Sequence, residues 1–293
     1  MLKRVFLTLL SAFLFISCSS DYDKKLKISA TTWIGYTPLF YAKEMGWLKP
    51  LNIKLLNVSS LSENMYLYKA GSSDAYVGTQ YEYNILRKED STLIPVMMFD
   101  KSHGGDVIMS NFSIEELKNS SKPIEAYLEM DSINYTLFED FIKKSELDEE
   151  RIVYINQDQS HISTIKETSL GKPIIIVTYS PYDNKLHSKG FKKIASTKDE
   201  FNLLVFDAMF TTTKTLTEHK KQFEGLKKAV DRAVAMLHKD PKQFYEKIKP
   251  YILEISYNEF KSALANVIWI NEEIPSEIKD RIKKENFPMQ DLI

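Results

Sequence analysis

Short β-type apolar runs alternate with helical stretches, and many of those helices open on a Ser or Thr with Glu three residues further on. This alternation limits the fold more than any other feature. Strands fed by capped helices build layered α/β sheets with a mostly parallel order. The pattern predicts strands over 27–32, 53–58, 75–78, 93–99, 107–110, 124–128, 152–155, 174–178 and 203–206. Between them, Thr37 with Pro38 opens a helix that Gly46 closes, and Ser60 with Glu63 opens another that Gly71 closes. Thr79 with Glu82 and Ser113 with Glu116 open two more. Helix-like stretches also cover 132–147 and 160–170. After a threonine-rich loop, Thr211 to Thr213, the spacing of Phe223, Leu226, Val230, Val234 and Leu237 predicts a long helix that stops at Asp240-Pro241. Ser256 with Glu259 opens a later helix expected to carry Trp269.

One strand–helix set runs to about residue 108 and a second from about 113 to 195. With the terminal helices packed back on the first set, residues 26–109 plus 200–293 make lobe 1 and 110–199 make lobe 2. The crossovers then fall near 108–112 and 196–202. One doubly wound sheet with a helical tail is the other arrangement this pattern allows.

Charge is balanced, 39 basic against 40 acidic residues, so no general attraction to nucleic acid is expected. A single cysteine excludes zinc fingers, iron–sulfur clusters and disulfide scaffolds. That cysteine, Cys18, closes an N-terminal address. Lys3 and Arg4 precede a twelve-residue mostly apolar stretch, 5–16, too short to span a bilayer and suited to a signal peptide. Phe15-Ile16-Ser17-Cys18 looks like a bacterial lipobox, with Phe15 where Leu is usual. Residues 1–17 are therefore read as a lipoprotein signal peptide, Cys18 as the lipidated residue and 18–25 as a tether. No later segment is apolar over a membrane-spanning length, so the membrane is reached through the lipid alone.

The stretch Ser29 to Leu48, with Trp33-Ile34-Gly35-Tyr36-Thr37-Pro38-Leu39 at its centre, resembles the opening motif of nitrate/sulfonate/taurine-type substrate-binding proteins. Further pieces match in order: Gly71-Ser72-Ser73-Asp74-Ala75, then Asp100 to Asp106 with Gly105 where the family has Ala, then Thr178-Tyr179-Ser180-Pro181. The resemblance covers about residues 26–245. It departs at Ile174 and Ser180, where the family often carries acidic residues. It implies the type II periplasmic binding fold: two α/β lobes with a ligand cleft between them and C-terminal helices.

Ligands of open α/β sheets bind beyond the carboxyl ends of the strands, where helix N-termini present free N–H groups. Thr37, Ser59, Ser60, Thr79 and Ser132 all stand where strands turn into helices. By the resemblance, the cleft would take Trp33, Gly35 and Tyr36 from the first turn, Ser59 and Ser60 from the second, and Thr79 and Gln80 from the third. Asp100, Ser102 and Asp106 come from the stretch before the crossover. Glu129, Asp131 and Ser132 come from lobe 2, with Tyr179 opposite. The arginines Arg87, Arg151, Arg232 and Arg281 lie outside every matched motif, whereas Asp100, Asp106, Glu129 and Asp131 cluster. Buried carboxylates want a cation or a donor-rich partner, which favours an amine- or amidine-bearing molecule or a stacked heterocycle. Lysines and helix N-termini leave a sulfonate-like anion open.

Neither G-x-S-x-G nor H-E-x-x-H occurs, and Gly171-Lys172 lacks the glycine loop of a phosphate cradle. His103, His161, His187, His219 and His238 have no metal-like spacing. The expectation is a monomeric binding protein without catalysis, metal or cofactor. It would sit at the extracytoplasmic face of the envelope and deliver a small polar solute to an ABC permease and its ATPase. A lipoprotein that signals through a membrane kinase or cyclase, and a structural lipoprotein with an empty cleft, are the alternatives.

Overall fold

The computed structural model describes residues 22–166, 171–198 and 203–293. Cys18 and the signal peptide lie outside these described residues. The strands gather into two sheets. One has the order β11-β4-β10-β3-β1-β2, with β1 Leu26–Thr31, β2 Ile53–Val58, β3 Ala75–Thr79, β4 Leu93–Ser102, β10 Phe206–Thr212 and β11 Val267–Trp269. The other has the order β7-β6-β8-β5-β9, with β5 Asp106–Ser110, β6 Ile124–Leu128, β7 Ile152–Asn156, β8 Ile174–Tyr179 and β9 Lys192–Ser196. Two α/β lobes result, each with buried apolar clusters around its sheet.

The order is mixed, not mostly parallel. β1 runs parallel to β2 and β3, and β6 runs parallel to β7 and β8. β10 is antiparallel to both β3 and β4, and β5 is antiparallel to both β8 and β9. The cause is the crossover. β5 enters from lobe 1 and β10 from lobe 2, so each starts at the cleft and runs against its neighbours. The first crossing lies at His103–Gly105, between β4 and β5, and not at 108–112 as expected. Residues 106–110 are thus a strand of lobe 2. The second crossing falls between β9 and β10.

Local signals explain most of the helices. Three capping boxes form as expected, at Thr79–Glu82, Ser113–Glu116 and Ser256–Glu259. At α2, Leu61–Lys69, Ser60 accepts the Glu63 N–H, but the Glu63 carboxylate turns to the N–H and hydroxyl of Ser59 instead of closing the box. Thr37 is not the cap of α1, Thr37–Glu44. A 3₁₀ turn, Ile34–Tyr36, precedes it, Tyr36 is the cap residue, and the Thr37 hydroxyl donates to the Ile34 carbonyl at 2.7 Å. The expected helix over 160–170 is one turn, Gln159–Ile162, and positions 167–170 lie outside the described residues. Thr211 to Thr213 is no loop: β10 runs to Thr212, whose side chain caps the long helix Thr213–Lys239. Trp269 is on β11 and not on the helix Tyr257–Leu264. The free edge of β4 needs hydrogen-bond partners, and 267–269 supply them. The helix Tyr182–His187 and strand β9 carry no strong local pattern and went unpredicted.

The terminal helices pack on lobe 1. Phe223, Leu226, Phe244 and Phe260 join Leu39, Phe40 and Tyr41 in one cluster, with Tyr41 stacked on Phe244 at 4.4 Å.

Candidate functional site

The parallel strands of both lobes point their carboxyl ends at the cleft, and β5 and β10 begin there. Three kinds of position therefore meet: the turn after β1, the ends of β3, β4 and β8, and the first residues of β5 and β10. They enclose a small cavity lined by Thr31, Trp33, Tyr36, Leu61, Thr79, Asp106, Tyr179, Val205 and Asp207. No lysine or arginine is among them. The free volume is about 10 Å³, room for roughly one water.

Acidic groups dominate this centre. Asp207 on β10 pairs in register with Asp100 on β4 on one side and Thr79 on β3 on the other. The Trp33 indole N–H donates to Asp100 at 3.1 Å, and the Tyr36 hydroxyl donates to Asp207. Burial, followed by mutual repulsion, pushes Asp207 well above the carboxylate range, and burial likewise raises Asp100. Burial raises Asp106 to about 6, although it is partly offset by the Ser102 hydroxyl. Gly35 is required for this packing: a Cβ there would lie 2.0 Å from Asp100 Oδ2 and 2.5 Å from Trp33 Nε1. Gly105 is required on the other side, where a Cβ would lie 2.3 Å from the indole. Trp33 meets Tyr179 edge-on at 5.9 Å. The hydroxyls of Tyr179 and Thr31 are buried and meet no partner with hydrogen-bond geometry.

A second acidic pair ties the lobes together. Glu82 of lobe 1 takes the Thr79 N–H at 2.7 Å on one oxygen, and with the other the N–H of Ile133, the first residue of the lobe 2 helix α5, Ile133–Ser145. Glu129, just beyond β6 in lobe 2, takes the N–H and hydroxyl of Ser62 in the first turn of α2 in lobe 1. Each lobe thus caps a helix of the other with a buried carboxylate. Burial raises Glu82 to about 7 and Glu129 to about 8. Tyr66 to Asp131 and Tyr182 to the Ser59 carbonyl add contacts across the same seam.

Of the residues expected in the site, Trp33, Tyr36, Thr79, Asp106 and Tyr179 line the cavity, and Gly35 and Asp100 press against Trp33 behind it. Ser59 and Ser60 serve the α2 N-terminus, Ser132 caps α5, and Ser102 bonds Thr197 at the crossover. Gln80 bridges the Leu204 carbonyl and the Phe206 N–H. Glu129 lies at the seam, and Asp131 is exposed at its rim. Sequence reasoning missed Asp207, Thr31, Leu61 and Val205, and read Glu82 as a cap alone. For Asp207 the available signal was a lone Asp inside the apolar run from Leu203 to Phe210. Among the described residues, no cluster of three or more His, Cys, Asp or Glu side chains suits a metal ion, and no helix is long and apolar enough to cross a membrane.

Two α/β lobes joined by two crossovers, with a buried polar centre at the strand ends, make the generic periplasmic binding protein fold. The solved structures it resembles include components of ABC-type import systems. A ligand-binding component of an ABC-type import system from Staphylococcus aureus, with zinc bound, matches at a TM-score of 0.67 and 14% identity, over 90% of this chain and 92% of that one. The alkanesulfonate-binding protein SsuA of Xanthomonas axonopodis pv. citri, bound to MOPS, matches at 0.67 and 12%, over 90% and 94%. The periplasmic nitrate-binding protein NrtA of Synechocystis PCC 6803 matches at 0.64 and 12%, over 87% and 74%. No protein-family model matches the chain, and no curated protein does.

Proposed function

We propose that the chain is a solute receptor of an ABC importer, held at the extracytoplasmic face by a lipid on Cys18, that closes its lobes on a small cationic nitrogen compound and passes it to a permease without altering it. The fold likeness to import components supports the receptor role. One observation carries the ligand class: Asp106 and Asp207 line the cavity, Asp100 stands behind Asp207 on the neighbouring strand, and no lysine or arginine among the described residues lines it. A cation bearing N–H donors neutralises such a group, whereas an oxyanion adds repulsion. In this reading Asp207 and Asp106 take the cationic head, and Trp33, Tyr36 and Tyr179 hold its body. The Thr31 and Tyr179 hydroxyls supply the remaining polar contacts. Because the closed cavity holds about one water, entry requires the lobes to part or Trp33 to swing.

Thermal unfolding of the purified protein with amines, amidines, aminopyrimidines, sulfonates and nitrate tests this. A cationic ligand at about 100 times its Kd should stabilise the protein by about 2.7 kcal/mol. Asp207→Asn should weaken its binding by at least about thirtyfold, near 2 kcal/mol. Stabilisation by sulfonate or nitrate alone would overturn the ligand class.

A further inference from the structure

Asp100 and Asp207 face each other in register on neighbouring strands, both are buried, and their carboxyls lie within hydrogen-bonding reach. Each receives one donor from the protein, Trp33 Nε1 on Asp100 and Tyr36 Oη on Asp207. Among the described residues, the titratable groups that face the pair are Tyr36 from the turn after β1, Asp106 from β5 and Glu82 from the helix Gln80–Glu89. All are acids. The strands on either side set Thr79 opposite Asp207 and Trp269 opposite Asp100, and neither carries charge. Two adjacent carboxylates without a cation cannot both stay ionised in such surroundings. The hydroxyls of Thr31 and Tyr179 line the same cavity as Asp207, and neither makes a hydrogen bond of good geometry. A ligand therefore has both a charge to meet and hydrogen bonds to complete.

We propose that Asp100 and Asp207 share one proton in the closed protein, and that a cationic N–H group entering against Asp207 displaces this proton to solvent. The inference rests on the cationic-ligand reading above and adds to it a proton exchanged for each ligand captured. No bond other than that O–H is broken, and the complex keeps the net charge the site had before. Linkage sets the sign. Below the pair's own pKa, binding releases one proton, so affinity rises tenfold for each unit of pH. Above it the pair is already ionised and affinity levels off. The neighbouring acids Asp106 and Glu82 titrate in the same region and steepen the rise if the ligand also ionises them.

Two measurements test it. Infrared difference spectra of the ligand-free protein near neutral pH, wild type against Asp207→Asn, should show a protonated carboxyl band that the variant loses. Absence of that band overturns the shared proton whatever binds. Calorimetric titration with acetamidine and benzamidine, cations throughout about pH 5 to 8, should then give a binding heat that scales with the ionisation heat of the buffer. Affinity should rise about tenfold per pH unit. Binding of these amidines with neither effect overturns the exchange and leaves the cationic reading standing. A carboxyl band with no amidine binding at any pH overturns the cationic reading and, with it, the exchange.

Discussion

Gly35 shows how tightly the residues around Trp33 are fitted. A methyl group there would overlap the Asp100 carboxyl, which is itself wedged against buried strands, so nothing can yield cheaply. Gly35→Ala should lower stability by about 1–3 kcal/mol, the usual cost of overpacking, and its melting temperature should drop accordingly. An unchanged melting temperature would mean that Asp100 is free to move. Trp33, Gly35 and Tyr36 were legible because a specific motif carries them. Asp207 was not. Its neighbours Phe206, Ala208, Met209 and Phe210 describe an ordinary buried strand, and a carboxylate inside such a run has no local cause. Its partner Asp100 is on a strand adjacent in the sheet but far away in the chain, which spacing along the sequence does not display. Ser59 and Ser60 are the converse case, where helix capping alone accounts for the signal that also suggested ligand contact.

Among the elements, capping boxes read well because both partners sit three residues apart. What such a box cannot show is a second use of the same carboxylate. Glu82 closes its own box and also caps α5 of the other lobe, and Glu129 does the same for α2 without any box to announce it. Glu82→Ala removes both roles and leaves the Ile133 N–H without its acceptor. The variant should lose about 1–3 kcal/mol of stability, and its radius of gyration in small-angle scattering should grow as the lobes part. A destabilised variant of unchanged radius would show that the seam is held by other contacts. The crossover was misplaced for a related reason. Val107 to Ser110 reads as a strand of either lobe, and only pairing with β8 and β9 assigns it to lobe 2.

At the scale of the whole molecule, the alternation of strands and helices carried the two-lobed α/β class, while strand direction depended on crossovers that leave no periodic mark. The buried acids give the molecule a pH response. Asp106, Glu82 and Glu129 have folded values raised to about 6, 7 and 8, against about 4 when unfolded. Between those limits the folded state holds more protons, so the stability they contribute is complete below the unfolded values and is lost as pH rises through the folded ones. The melting temperature should therefore fall from about pH 5 to pH 8, and Glu129→Gln should flatten the decline. A rise over that range would contradict the burial of these groups.

The placement of β10 between β3 and β4 also sets an order of assembly. Every strand of lobe 2 lies in one unbroken stretch of chain, so its sheet can form as soon as β9 has been made. Lobe 1 has to wait. Its β3 and β4 emerge early but share no bonds with each other, and the strand that joins them arrives after all of lobe 2. Until then both present open edges, the long-range closure should be the slow step, and a nascent chain halted before residue 206 should carry a finished second lobe beside an unfinished first one.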